Sequence, residues 1–218
     1  MAQIFSRAAD TYLRVTAIAV GIVVIGGLLL TGGLVRSAYF TREGIARAQP
    51  VPFSHRHHAG ELGIDCRYCH HPVEETATAG YPPTHTCMTC HSQLWTNADA
   101  LAPVRASYTE GWPIPWNRVH DLPDFVYFNH SIHIDRGVGC SECHGAVETM
   151  NRVYQAETLH MSWCLDCHRN PGPHLRPTEE VFNLEWTPPA DRAALARRLM
   201  AEFDIDPSKL DSCYVCHR

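Results

Sequence analysis

A long apolar run near the start of the chain is its strongest hydrophobic pattern. Residues 15–35 carry no charged side chain and are bracketed by Arg14 and Arg36. As a helix this run would be about 31 Å long, enough to cross the hydrocarbon layer of a membrane. It is longer than the apolar region of a cleaved signal, although Ala46-Arg47-Ala48 has the small-x-small form of a cleavage site. The pattern predicts a retained transmembrane anchor at residues 15–36.

A second periodic segment lies near the end of the chain. Leu195, Leu199 and Phe203 fall on one stripe of a helix over residues 192–203, which Asp191 is placed to cap. Between these segments the chain is rich in turn-forming residues. Residues 101–124, which contain proline and tryptophan, predict an ordered loop rather than a helix.

Composition changes this picture in two ways. The formal net charge is −5, from 18 basic and 23 acidic residues, and no basic run is dense enough to predict a nucleic-acid partner. The apolar fraction of 45% is near the globular average. Once the anchor and the cysteines are set aside, the remaining apolar content is thin for an ordinary hydrophobic core. Fifteen histidines and ten cysteines point to metal or cofactor chemistry.

All ten cysteines belong to one repeated motif. They form five pairs with two residues between, and a histidine follows each pair at once. In chain order these are motif 1, Cys66-Arg67-Tyr68-Cys69-His70; motif 2, Cys87-Met88-Thr89-Cys90-His91; motif 3, Cys140-Ser141-Glu142-Cys143-His144; motif 4, Cys164-Leu165-Asp166-Cys167-His168; and motif 5, Cys213-Tyr214-Val215-Cys216-His217. This is the attachment signature of c-type haem, in which two thiols bond one porphyrin and the adjacent imidazole binds its iron. The sequence predicts five covalently bound haem c groups, with the five motif histidines as proximal ligands.

Two other interpretations explain the cysteines alone. The spacing of motifs 1 and 2, and of motifs 3 and 4, also fits four-cysteine zinc ribbons, and a disulfide framework would use the same thiols. Neither requires a histidine after every pair. Five porphyrins also supply the apolar interior that the composition lacks. The predicted fold is therefore mostly irregular with short α-helices, organised around five haems, plus one N-terminal transmembrane helix.

An internal duplication organises the chain. Phe53-Ser54-His55-Arg56-His57-His58 precedes motifs 1 and 2, and Phe128-Asn129-His130-Ser131-Ile132-His133 precedes motifs 3 and 4. The predicted segments are a cytoplasmic N-terminus (1–14), the anchor (15–36), a linker (37–52), a first dihaem unit (53–100), a connecting loop (101–127), a second dihaem unit (128–170) and a C-terminal segment with the fifth haem (171–218).

The F-x-H-x-x-H elements also predict sixth iron ligands. Two imidazoles three residues apart lie on one face of a helical turn and can reach two different irons. His55, His58, His130 and His133 are therefore the predicted distal ligands. The fifth distal ligand stays open among Met161, Met150, His71 and His120, of which a methionine would raise the potential of its haem.

Two families resemble this sequence. F-x-H-x-x-H followed by C-x-x-C-H is similar to small periplasmic multihaem cytochromes, which implies that His55 serves the haem of motif 1 and His130 that of motif 3. A closer resemblance covers nearly the whole chain. The anchor, motifs 1, 2 and 4 with their flanking residues, and above all the string from Arg118 to His133 resemble the pentahaem cytochrome subunit of bacterial alternative complex III.

That resemblance implies electron transfer without a catalytic site of its own. Electrons would come from polytopic quinol-oxidising membrane subunits through an iron–sulfur subunit and pass to a monohaem cytochrome c or a terminal oxidase. The chain would be a single-pass protein of the bacterial cytoplasmic membrane, with its haem domain on the periplasmic side, where haem is attached. Two alternatives remain: a stand-alone membrane quinol dehydrogenase feeding periplasmic reductases, and a multihaem reductase with one open haem.

Overall fold

The protein is described by a computed structural model over residues 6–217, whose contacts divide the chain into two units. The first unit ends at Arg42 and the second begins at Glu43. Ten α-helices lie within the described residues: α1 (Arg7–Val35), α2 (Ala38–Thr41), α3 (Cys66–Cys69), α4 (Thr84–His91), α5 (Ala102–Glu110), α6 (His130–Asp135), α7 (Ser141–His144), α8 (Met161–Arg169), α9 (Arg192–Glu202) and α10 (Cys213–Cys216).

Short turns and loops connect these helices. A π-helical turn spans Arg56–Glu61, and 3₁₀ turns span Asp99–Leu101, Val147–Thr149, Gly172–His174, Thr178–Glu180 and Pro207–Lys209. Extended pairing among the described residues is confined to two isolated bridges, Glu43 with Gln155 and Val138 with Leu175. The predicted class, mostly irregular with short helices, is confirmed at this level.

Helix α1 contains the predicted anchor and begins earlier than the uncharged run. The Ser6 hydroxyl accepts a hydrogen bond from the Ala9 amide at 3.2 Å, which caps the helix at its start. The helix has 29 residues, an 18-residue window of mean hydropathy 2.5, and no buried side chain in that window. Among the described residues it is the one helix long and apolar enough to cross a membrane, a property that a signal sequence shares.

The prediction of a loop over residues 101–124 is wrong for its first part, where α5 forms. Pro103 lies in the first turn of α5, where its missing amide proton costs no helical hydrogen bond. Gly111 ends the helix with a φ of +75°, and Val104 and Ser107 are buried on its inner face. Proline therefore starts this helix rather than preventing it. The rest of the segment is irregular, as predicted.

Helix α9 confirms the second periodic segment. The Asp191 carboxylate accepts a hydrogen bond from the Ala194 amide at 2.8 Å. Leu195 and Leu199 are buried with Leu175 in one small apolar cluster. Phe203 is the C-cap residue, one position beyond the end of the helix, and its ring packs on this cluster.

The apolar core is as thin as the composition implies. The buried hydrophobic side chains of the described residues are Val51, Val73, Val104, Met150, Leu175, Val181, Leu195 and Leu199. Polar contacts complete the packing beside motif 3. The guanidinium of Arg176, 4% exposed, donates to the Glu142 carboxylate at 3.0 Å and to the Ser141 hydroxyl at 3.1 Å, and it lies 4.7 Å over the ring of Trp186.

Close packing around Gly137 gives a stability prediction. A Cβ atom on Gly137 would overlap the carbonyl oxygen of Arg176 and lie 2.7 Å from the ring of Phe203, at a φ of +72°. Gly111 has a similar φ of +75° with nothing within 4 Å, so it is the matched control. We expect Gly111→Ala to lower the free energy of unfolding by about 1 kcal/mol and Gly137→Ala to lower it by about 3 kcal/mol. Denaturant titration of both variants measures the difference, and equal losses would contradict the close packing.

Candidate haem-binding sites

Each motif forms a helical turn that presents its cysteines together. Residues three apart in a helix lie on one face, and the motif cysteines occupy such positions in α3, α4, α8 and α10. In motifs 1, 3 and 5 the amide of the histidine donates to the carbonyl of the first cysteine, at 2.8 Å, 3.0 Å and 2.9 Å. All ten cysteines are free thiols. The turns thus offer two unpaired thiols and an imidazole from one short segment.

Hydrogen bonds to backbone carbonyls fix the rings of four motif histidines. Their Nδ1 atoms contact carbonyl oxygens as follows: His70 with Gly80 at 3.0 Å, His91 with Leu94 at 3.1 Å, His168 with Leu210 at 2.9 Å and His217 with Phe125 at 3.1 Å. Since a carbonyl oxygen only accepts, the proton of a neutral ring lies on Nδ1. Nε2 is then the nitrogen available to a metal, an arrangement typical of metal-bound histidines.

The histidine of motif 3 is held differently. Burial lowers the pKa of His144 to about 3, with smaller contributions from neighbouring histidines. The ring is therefore neutral over the ordinary pH range, which is the form that binds a metal.

Three motif histidines face a second imidazole at similar distances. The ring centroids of His58 and His91 are 6.3 Å apart, and those of His133 and His168 are 6.2 Å apart. His130 and His144 are 6.4 Å apart and nearly parallel, with an interplanar angle of 12°. Two imidazoles on opposite sides of one metal ion hold their ring centres about 6 Å apart, because each metal–nitrogen bond is about 2 Å long. These pairs have the separation of two axial ligands.

The facing imidazoles are also oriented by backbone carbonyls. His58 Nδ1 lies 2.8 Å from the Ser54 oxygen, and His133 Nδ1 lies 2.7 Å from the Asn129 oxygen, four residues upstream in each repeat. His130 Nδ1 contacts a different part of the chain, the Ala77 oxygen, at 2.8 Å.

The phenylalanine of each F-x-H-x-x-H element packs between its two histidines. Phe53 stacks on His58 with centroids 4.3 Å apart and meets His55 edge-on at 4.9 Å. Phe128 repeats this arrangement, stacked on His133 at 4.6 Å and edge-on to His130 at 4.8 Å. The duplicated element is therefore a rigid holder for two imidazoles. The sequence pattern predicted the element but not this role of its phenylalanine. The signal for that role is the position of the phenylalanine, two residues before the first histidine in both copies.

His55 completes the set of four. Its Nδ1 atom is buried without a hydrogen-bond partner. Burial lowers the pKa of His55 to about 4, and nearby His70 of motif 1 lowers it further. The structure therefore brings a neutral imidazole close to His70, the histidine of motif 1.

The candidates for a fifth distal ligand lie in different surroundings. His120 is near motif 3, with its ring centroid 4.2 Å from that of His144 and its Nε2 atom buried without a partner. Met150 is buried in the core. His71 is exposed directly after motif 1. Met161 is 61% exposed at the start of α8, one turn before Cys164.

These donors fit haem c. Each motif places two free thiols beside an imidazole. In motifs 2, 3 and 4 the motif histidine also faces a second imidazole at the separation of two axial ligands. A zinc ribbon would require four converging thiolates, and residues 6–217 contain no cluster of three or more His, Cys, Asp or Glu side chains suited to a metal ion alone.

Comparison with known proteins agrees with this donor set. Residues 35–110 match the Class III cytochrome C family. The chain is also 30% identical over 148 residues to the menaquinone reductase, multiheme cytochrome c subunit, of Nitratidesulfovibrio vulgaris strain Hildenborough, an alignment that covers 57% of this chain and 69% of that protein.

The ring pairs predict a spectroscopic change on loss of one imidazole. We expect His130→Ala to convert one haem from low spin to high spin, because the partner of His144 at 6.4 Å is removed. His57→Ala is the matched control, since His57 lies in the same kind of element but is exposed and bonded to the Glu61 carboxylate at 2.9 Å. Low-temperature EPR counts the low-spin haems, and an unchanged count in His130→Ala would contradict the pairing.

Proposed function

The chain belongs to the multihaem c-type cytochrome family, and we propose that it is a membrane-anchored, five-haem electron-transfer subunit of a quinol-linked respiratory complex. As a family member it carries covalently bound haem c, which supplies one-electron redox chemistry when bound. The proposed number of five follows from five complete motifs. In each, the two cysteines would form the thioether bonds and the following histidine the proximal iron ligand.

The observation that carries the proposal is the pairing of imidazoles at the separation expected for two axial ligands of one iron. On this basis His58 would be the distal ligand for motif 2, His130 for motif 3 and His133 for motif 4. His55, beside His70, would serve motif 1. An iron with two strong protein ligands transfers electrons rather than binding substrate. Closed coordination therefore favours an electron carrier over a reductase with an open haem.

For motif 5 we propose Met161 as the distal ligand. Met161 lies one turn before Cys164 on α8, so the two side chains share a helix face. Cys164 is close to Cys216 of motif 5: burial raises the pKa of the Cys164 thiol, and Cys216 raises it further. Met150 lies in the core instead, and His120 faces motif 3. One histidine–methionine haem would have a higher potential than the four bis-histidine haems.

The link to quinol rests on the relative and on helix α1. The relative is named as a subunit of a menaquinone reductase, and α1 is long enough to anchor the haem unit at a membrane. We propose that electrons arrive from quinol-oxidising membrane subunits through an iron–sulfur subunit, as in alternative complex III, and leave to a monohaem cytochrome c or a terminal oxidase. The haem unit would lie on the periplasmic side. The relative's name favours a second candidate, in which the electrons run toward a quinone-reducing subunit.

Replacement of Met161 tests the fifth ligand. We expect Met161→Leu to leave one haem without its sixth ligand, so that the reduced protein gains one carbon monoxide-reactive haem. Met150→Leu is the matched control, because it also removes a sulfur but keeps the core volume, at a buried position beside Gly145 after motif 3. Carbon monoxide difference spectra measure the change. Equal spectra for the two variants would rule out Met161.

Purification of the native protein tests the assignment to a complex. In mild detergent we expect the chain to copurify with several other subunits, including an iron–sulfur protein and polytopic membrane proteins. The reduced native chain is expected to bind little carbon monoxide, because every iron has two protein ligands. A lone chain that oxidises quinol would contradict the complex, and strong carbon monoxide binding would favour the reductase.

A further inference from the structure

Motifs 1 and 2 are direct neighbours. The Tyr68 hydroxyl, between the cysteines of motif 1, lies 2.7 Å from the Thr89 hydroxyl, between the cysteines of motif 2. The first F-x-H-x-x-H element joins them again, since His55 lies near His70 and His58 faces His91.

Motif 1 also packs against motif 3, although motif 2 separates them in the sequence. The π-helical turn Arg56–Glu61 lies on the 3₁₀ turn Val147–Thr149, just after motif 3. The Arg56 amide donates to the Met150 carbonyl at 2.9 Å, and the Ser54 hydroxyl donates to the Asn151 side chain at 3.1 Å. Gly60 is so close to the Glu148 carbonyl that a Cβ atom would overlap it.

The thiols of motifs 1 and 3 lie as close as this packing implies. The Cys66 and Cys140 thiols are in hydrogen-bond contact with each other. His144 of motif 3 likewise lies near both His70 and His55.

Motif 3 continues to motif 4 through helix α6. His130 and His133 lie on one turn of α6. The ring centroid of His130 is 6.4 Å from that of His144, and the ring centroid of His133 is 6.2 Å from that of His168. Cys143 of motif 3 also lies near Cys167 of motif 4.

Motif 4 in turn contacts the segment that leads into motif 5. His168 Nδ1 lies 2.9 Å from the Leu210 carbonyl, and Arg169 forms a 3.3 Å ion pair with Asp211, two residues before Cys213. Motif 5 also contacts the segment just before α6. There the Tyr127 amide donates to the carbonyl of Cys216, the second cysteine of motif 5, at 2.8 Å.

Exposure of the cysteines identifies the two ends of this series. Cys90 of motif 2 and Cys213 of motif 5 are exposed, whereas the other eight motif cysteines are partly buried. A series with motifs 2 and 5 at its ends accounts for this difference. An order that follows the sequence would put motif 1 at an end, yet both of its cysteines are partly buried.

We infer that the five motifs lie in the spatial order 2–1–3–4–5, and that electrons enter and leave the chain at motifs 2 and 5. The inference rests on the proposed function, because it assumes a haem at every motif. A one-electron donor at one terminal motif is oxidised and a one-electron acceptor at the other is reduced, with no bond made or broken and no proton transferred. Motif 2 is therefore a terminal site, although it is second in the sequence.

The test marks one haem at a time by its axial ligand in the full chain. His58→Met gives the haem of motif 2 a methionine ligand, which raises its reduction potential. His133→Met does the same at motif 4 and is the matched control, because motif 4 has two neighbours in either order. Redox titration followed by EPR and visible spectroscopy resolves the potentials of the remaining haems.

The number of shifted neighbours decides between the orders. A marked haem that is reduced earlier changes the charge felt by adjacent haems and lowers their apparent potentials. We expect His58→Met to shift one other haem and His133→Met to shift two. Two shifted haems in His58→Met would restore the sequence order and overturn the inference. An unchanged number of bis-histidine haems in His58→Met would overturn it as well, since His58 would then not be a ligand of the motif 2 haem.

These outcomes are distinct from failure of the proposed function. The function fails if the native chain lacks haem or purifies without partners, whereas the inference fails on the neighbour pattern and ligation state of a chain that has its haems. The unmodified chain gives a second measurement that depends on no variant. We expect nuclear Overhauser effects between haem methyl groups of motifs 1 and 3, and effects between those of motifs 2 and 3 would overturn the order.

Discussion

The hydrogen bond from imidazole Nδ1 to a backbone carbonyl is the interaction on which the haem-binding arrangement depends. It leaves Nε2 as the nitrogen available to bind a metal and fixes the direction of the ring. The chain uses it for four motif histidines and for three of the facing histidines. The accepting carbonyls belong to local turns and to distant segments, as in the contact of His168 with Leu210. Folding of the loops and orientation of the ligands are therefore one process.

This constraint explains a fold with little regular structure. An ordinary domain is held by many buried apolar side chains, whereas only eight are buried among the described residues, three of them in the cluster around Leu199. The polypeptide instead forms short turns that end at histidines. Aromatic contacts, such as the stacking of Phe53 on His58, stabilise these turns. The ion pair of the buried Arg176 with the partly buried Glu142 fixes the turn of motif 3 where apolar packing is scarce. With a haem at each motif, as we propose, porphyrin faces would supply the remaining apolar surface.

Local patterns were predictable from the sequence, and relations across the chain were not. The apolar helix α1, helix α9 and its Asp191 cap follow from hydrophobic patterning and capping chemistry. The loop predicted over residues 101–124 is wrong at α5, because Pro103 lies in the first turn of that helix, where proline is favoured. The pairing of His58 with His91 was not derivable, because a spacing shows which histidines share a turn but not which iron each one faces. The packing of motif 1 on motif 3 depends on close approach at Gly60, which no local pattern signals.

Near-infrared magnetic circular dichroism of the oxidised full chain is the sharpest test of whether paired imidazoles enclose the iron of four haems. The charge-transfer band of low-spin ferric haem reports the axial ligand pair, and haem content per chain normalises its intensity. We expect five haems per chain, four with two histidines and one with histidine and methionine. A spectrum in which fewer than three haems have two histidine ligands would contradict the pairings, since three ring pairs lie between 6.2 Å and 6.4 Å.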